Sequence, residues 1–192
     1  MTKREEQYNI GLEFIKQFAE LNNIDISKIK FIVKHTKQEV GRDRASGWCE
    51  YNYKTKKCKI TINLPKCAPE AVKPTSFNTN NRYWFVNRTP IGVICHEFGH
   101  FVHYLLTNGK CVLPKEKQIT SYEPNIYERF AESIKLFILN PDLLKQYDPK
   151  RYEVLINKLN LKPLHNKTWQ EVFKENNMHE KYYEYMKNRL NK

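Results

Sequence analysis

His96 and His100 stand four residues apart, with Glu97 beside the first, in the run Val93-Ile94-Cys95-His96-Glu97-Phe98-Gly99-His100. On a helix that spacing is one turn, so both imidazoles reach a single metal ion from one face. Imidazole nitrogen is a good ligand for Zn2+, and the adjacent carboxylate can take a proton from a water that the ion activates. The chemistry these residue types suggest is metal-assisted hydrolysis. It needs one more part, because two histidines leave a tetrahedral ion short of a third protein ligand.

The donors for that place lie downstream. His103 is one turn beyond His100, but a third ligand from the same helix is awkward where two already hold one side of the ion, and His103 reads as a packing or cleft residue. His165 and His179 fall in a region with no organising pattern. Glu128 and Glu132 are the better candidates, four residues apart on an otherwise apolar stretch that includes Ile126, Phe130, Ala131, Ile134, Phe137 and Ile138. Carboxylates on such a helix need a partner inside. The simplest division gives Glu128 to the metal and has Glu132 accept the second ring N–H of a liganding histidine. The plainer alternative pairs one or both with Arg129 or with surface lysines.

The elements that must carry these groups can be read from periodicity. Ile10, Phe14, Ile15, Phe18 and Leu21 mark an amphipathic helix over residues 5–21. Residues 29–33 read as a strand, followed by two more at 48–53 and 59–64 joined by a lysine-rich turn, which together suggest an antiparallel hairpin. Residues 65–90 form a long loop that includes Trp84 and Phe85, either as cleft lining or as packing. A proline-free, mostly apolar helix then runs over 91–106, bearing the histidines and ending at Asn108-Gly109. A second runs from 124 or 125 to 139 and is closed by Asn140-Pro141. Helical periodicity returns in 152–159, 169–173 and 182–190, with a turn at 161–164. We expect an α+β core over 1–141 and a helical extension over 142–192 packed on the same domain.

Composition narrows the class. The 33 basic against 21 acidic residues give a net charge of +12, spread along the chain and not gathered in a tail. That charge suits either an acidic partner, nucleic acid included, or simply a solvated lysine-rich surface. No apolar run follows Met1 as a signal peptide would require, and no stretch reaches membrane-spanning length, so the expectation is a soluble, cytoplasmic protein without a membrane partner. Five cysteines without a CxxC pair do not indicate a disulfide framework. Cys49 and Cys58 can face each other across the hairpin, where they would bind a second metal, oxidise, or remain free thiols, and Cys95 reads as core.

HEFGH, then Glu128-Arg129-Phe130-Ala131-Glu132, then an apolar run and Asn140-Pro141, resembles the gluzincin zinc metallopeptidases. The likeness is greatest to the branch that contains anthrax toxin lethal factor and the Pro-Pro endopeptidases, and it covers residues 91–141. The resemblance implies a zincin-like fold, with a small twisted antiparallel or mixed sheet packed on the HExxH helix and a second helix bearing the glutamates. It implies a Zn2+ cofactor held by His96, His100 and Glu128, Glu97 as general base, and Glu132 as the second carboxylate of that helix. It further implies a tyrosine hydroxyl facing the scissile carbonyl, for which Tyr122 is the match and Tyr127 the fallback. An edge strand that pairs with an extended peptide or protein substrate would fall at 59–64.

Three other readings compete with a zinc endopeptidase. One is a SprT-like zinc protease acting on DNA-associated proteins, which the basic charge suits but whose third ligand is a histidine. Another is a non-catalytic metal-binding accessory protein, against which the intact Glu97 argues. The last is a helical protein in which HEFGH is accidental. Oligomeric state and cleavage-site preference have no signature in the chain.

Overall fold

A computed structural model of the chain describes residues 1–35, 45–67, 89–114 and 125–164. These residues build an α+β fold in which helices pack on a three-stranded mixed sheet. Helix α1, Lys3–Leu21, starts in a capping box: Thr2 Oγ1 accepts from the Glu5 amide at 3.3 Å, and Glu5 Oε2 accepts from the Thr2 amide at 2.6 Å. That cap sets its start two residues ahead of the first expected helical position. Its buried face of Phe14, Ile15, Phe18 and Ala19 enters the core.

The strands are β1 (Ile29–Lys34), β2 (Gly47–Tyr51) and β3 (Cys58–Asn63), in the order β1-β3-β2. β1 runs parallel to β3, with Ile29 opposite Cys58. β2 runs antiparallel to it, with Trp48 opposite Thr61. The turn of this hairpin is set by Asn52, whose Oδ1 accepts from the amides of Lys54 and Thr55 at 3.0 Å each, and by Lys56 in the left-handed region at φ 56°. One expectation is overturned here. β3 is the central strand, hydrogen-bonded on both sides, and cannot be the edge that receives an extended substrate. Thr61 and Asn63, which alternate with Ile60 and Ile62 and so look solvent-facing in sequence, are buried at 1% and 0% exposure because the strand is covered on both faces. Among the described residues the open edge nearest the histidine helix belongs to β2.

Helix α2, Pro90–Thr107, carries Cys95, His96, Glu97, His100 and His103. Thr89 caps it, its Oγ1 accepting from the Gly92 amide at 3.2 Å, and Pro90 occupies the first turn, where its missing N–H costs nothing. It ends at Asn108 and Gly109, both in the left-handed region with φ 55° and 77°. Helix α3, Ile126–Leu139, is capped by Asn125, whose Oδ1 accepts from the amides of Tyr127 and Glu128 at 2.9 and 3.0 Å. The two helices come unusually close at Gly99. A Cβ there would lie 2.7 Å from both Cα and O of Ala131, so only glycine permits the approach.

Phe18 ties α1 to both, meeting Phe98 and Phe137 edge-on with ring centroids 6.3 Å away in each case. Beyond Asn140 the chain makes α4 (Pro141–Tyr147), α5 (Pro149–Glu153) and one π-helical turn, Val154–Lys158. These segments pack on the same core through Leu155 and Leu161, and the Leu164 amide donates to the Phe137 carbonyl at 3.2 Å. Among the described residues no helix is long and apolar enough to cross a membrane. The expected helices at 169–173 and 182–190, the 65–90 loop beyond Cys67 and before Thr89, and residues 115–124 lie outside the described residues.

Candidate metal centre

The approach at Gly99 determines which side chains meet. It sets the Glu128–Glu132 face of α3 against the His96–His100 face of α2. His96 Nε2 lies 2.9 Å from Glu128 Oε2, and His100 Nε2 lies 3.4 Å from the same oxygen. The imidazole planes are nearly perpendicular, at 88° with centroids 4.8 Å apart. On its other side His96 Nδ1 meets Glu132 Oε1 at 2.7 Å. Glu132 in turn accepts from Lys135 Nζ on both oxygens at 2.6 Å, and both side chains are almost fully buried.

The donors fit a tetrahedral cation on their own geometry. One donor atom from each of His96, His100 and Glu128 falls in a group whose members all lie within 4.8 Å of one another. Bonds of 2.0–2.1 Å to a tetrahedral Zn2+ set its ligands roughly 3.3 Å apart, and the separations of 2.9 and 3.4 Å bracket that value. In the neutral ring that a metal would require, the Glu132 carboxylate on His96 Nδ1 selects the tautomer with the lone pair on Nε2, the nitrogen that faces Glu128. His100 Nδ1 is buried without a partner among the described residues.

Electrostatics follow from packing so many ionisable groups in one place. Burial works against the charged form of His96, but hydrogen bonds to Glu128 and Glu132 win and raise its pKa to about 9. Burial likewise opposes ionisation of Glu128, yet the two histidines hold its pKa down at about 2. For Glu132 burial is outweighed by Lys135 and His96, again to about 2. Glu97 differs. Burial pushes its pKa upward, the histidines pull it only partly back, and Glu128 and Glu132 push it further up. A carboxylate whose proton affinity is raised in this way is suited to accept a proton and release it again.

The cluster opens into a cavity of about 370 Å3. Trp48 and Cys49 of β2 line it together with Tyr104 of α2 and Tyr127 of α3. Gly47 sits against Glu97: a Cβ there would be 3.1 Å from Glu97 Cγ and 2.6 Å from Val93 Cγ1. Of the residues singled out in the sequence, His96, Glu97, His100, Glu128 and Glu132 are thus brought together. Tyr122 lies outside the described residues, as do His165 and His179, while Tyr127 lines the cavity. His103 is not part of the cluster: it stacks on Phe130 at 4.3 Å, and its Nε2 donates to the Lys110 carbonyl at 3.0 Å.

Sequence reasoning missed Lys135, Tyr104 and the contribution of β2 to the cavity wall. Lys135, three residues after Glu132, carries the one available signal, a lysine inside an apolar helix on the glutamate side. Compared with known proteins, the chain matches no family model, no curated protein and no solved structure.

Proposed function

We propose that this chain is a zinc-dependent endopeptidase of the gluzincin type, with a zincin-like core. The observation that carries the reading is the convergence of His96 Nε2 and His100 Nε2 on Glu128 Oε2, with Glu97 buried beside them. His96, His100 and Glu128 would hold the ion, and Glu132 would keep His96 in the required tautomer. Bound there, Zn2+ supplies acidification of the attacking water and polarisation of the peptide carbonyl. Glu97, buried beside the cluster, would take the proton of that water and pass it to the departing amine.

The open edge of the sheet supports a place for an extended substrate. The Asn63 amide donates to Ser46 O at 2.8 Å and the Asn52 amide to Lys57 O at 2.9 Å, so the even-numbered residues of β2 face β3. Gly47, Cys49 and Tyr51 therefore aim their backbone N–H and C=O groups away from the sheet. That open edge runs past Glu97, and an extended peptide adding to it would cross the cavity. Substitution at Gly47 would crowd both the strand and the base.

The test begins with metal content of purified wild-type protein and Glu128→Ala. The reading expects one zinc per chain, lost or greatly weakened in the variant, and cleavage of a peptide library that Glu97→Gln abolishes. Zinc retained undiminished in Glu128→Ala would remove Glu128 from the ligand set and with it the gluzincin assignment. Wild-type protein that takes up no zinc would end the hydrolase reading altogether.

A further inference from the structure

Two thiols stand beside the metal centre without a part in it. Cys49 of β2 and Cys58 at the start of β3 place their Sγ atoms 3.4 Å apart. They are diagonal neighbours on adjacent antiparallel strands, Cys49 opposite Ile60 and Cys58 opposite Tyr51, and alternation puts both side chains on the same sheet face. Their surroundings differ. Cys49 is half-buried and lines the cavity that holds His96, Glu97 and His100, whereas Cys58 is only 4% exposed. The other thiols stand elsewhere: Cys67 donates to the Asn63 carbonyl, Cys95 is buried in α2, and Cys111 is exposed and donates to the Leu113 carbonyl.

We propose that Cys49 and Cys58 are an oxidisable dithiol that closes to a cross-strand disulfide at the wall of the cavity, with a low-molecular-weight disulfide as oxidant. Cys49, reached from the cavity, is the attacking thiol and Cys58 the resolving one. The Cys49 thiolate attacks one sulfur of the oxidant, whose S–S bond breaks and releases one thiolate. The Cys58 thiolate then attacks Cys49 Sγ in the mixed disulfide, forming the Cys49–Cys58 bond and releasing the second thiolate. The two protein thiol protons end on the two leaving groups. Two electrons pass from the protein to the small molecule, which is reduced to two thiols.

The hydrogen bond with Cys58, together with burial, pushes the Cys49 thiol well above its ordinary pKa, so the exchange accelerates as pH rises. The product ties the edge strand β2 to the central strand at the point where β2 borders the site. It leaves the donor atoms on α2 and α3 where they are.

Full-length wild-type protein is incubated to completion with glutathione disulfide at about pH 9.5, above the pKa of a free thiol, then acidified, alkylated, digested and mapped without reduction. Trypsin cuts between the two cysteines at Lys54, Lys56 and Lys57, so the bond appears as linked peptides that separate on reduction. The expected result is that link, a loss of two hydrogens in the intact mass, and a thermal midpoint higher than that of the reduced protein. In Cys58→Ser, Cys49 should stop at the mixed disulfide with glutathione. Recovery of Cys49 and Cys58 both alkylated, or a link that forms only in denaturant, would overturn the proposal. So would pairing of either residue with Cys67, Cys95 or Cys111.

Discussion

Lys135 and Glu132 form an ion pair inside the protein, Nζ standing 2.6 Å from each carboxylate oxygen with both residues 1% exposed. A carboxylate that deep can stay ionised only beside a positive charge. Glu132 must stay ionised to accept the N–H of His96 strongly, so Lys135 acts on the cluster through Glu132. A divalent ion and this ammonium carry three positive charges between them. Ionised Glu97, Glu128 and Glu132 carry three negative ones, so on the proposed reading a centre holding such an ion is neutral only with Lys135 present.

Two substitutions separate these roles. Glu132→Gln keeps the side-chain shape but weakens the hold on His96 Nδ1, and should lower zinc affinity by about 10–100-fold while the protein stays folded. Lys135→Met removes one of the two cations beside a buried carboxylate, leaving only His96, and should cost up to about 3–5 kcal/mol of unfolding free energy. The double variant Glu132→Leu with Lys135→Met should recover most of that stability, since an apolar pair of similar volume replaces a desolvated one. Denaturant titrations in chelator and zinc competition with a chromophoric chelator provide both readouts. Wild-type stability in Lys135→Met would contradict the argument.

Gly99 is the point on which the two halves of the cluster turn. A methyl group there meets backbone atoms of Ala131 at 2.7 Å, and backbone, unlike the tip of a flexible side chain, cannot step aside. Gly99→Ala should therefore push α3 away from α2 and cost about 1–3 kcal/mol. Glu128 moves with α3, so zinc affinity should fall in the same variant. An unchanged thermal midpoint together with unchanged affinity would show that the helices do not need this contact.

How far the sequence discloses this arrangement depends on whether the cause is local. The His96–His100 spacing, the Asn108-Gly109 stop and the Asn125 cap are set by residues a turn apart, and each is readable in the chain. Glu128 is readable because a carboxylate on an apolar helix demands a partner. The position of β3 is not local. Ile60 and Ile62 alternate with Thr61 and Asn63 as on a half-exposed strand; the lysine-rich turn discloses the pairing with β2, but nothing nearby says that β1 will pair on the other side. Lys135 is hidden for a similar reason. Its partner Glu132 is one turn away, but a lysine in such a place is equally at home with its ammonium extended to water.

Gly47 offers a way to disturb Glu97, the proposed base, without substituting any of the proposed metal ligands. The Cβ of Gly47→Ala would press on Val93 Cγ1 and on the Glu97 side chain, which must shift to accommodate it. If Glu97 is the proton acceptor of a hydrolytic reaction, turnover should fall on the order of 100-fold for a displacement of about 1 Å. Zinc affinity should stay near the wild-type value, because His96, His100 and Glu128 do not touch Gly47. Equal loss of both would mean that the substitution disrupts the sheet and not the base.

His103 should make stability depend on pH in a window that Glu128 and Glu132 do not share. Its Nε2 donates to the Lys110 carbonyl, which fixes the neutral tautomer with a bare Nδ1. That nitrogen is buried without a partner among the described residues. A second proton would thus have no acceptor, and the ring it charges is stacked on Phe130. Burial accordingly lowers the pKa of His103 below 6.5, the Lys110 carbonyl opposing and nearby His100 reinforcing the shift. The other titratable groups around the ring are the phenols of Tyr104 and Tyr127. With the folded pKa below the unfolded one, the native state binds fewer protons, and this contribution to stability is complete above pH 6.5. It is lost as pH falls through the lowered folded value. Glu128 and Glu132, with pKa values held down at about 2, lose theirs at pH values below the ordinary carboxylate range. His103→Gln retains an N–H for Lys110 but cannot titrate. Urea midpoints in chelator should fall more steeply for wild type than for His103→Gln between about pH 7.5 and about pH 5.5. Parallel curves for the two proteins would show that His103 is not held neutral by its surroundings.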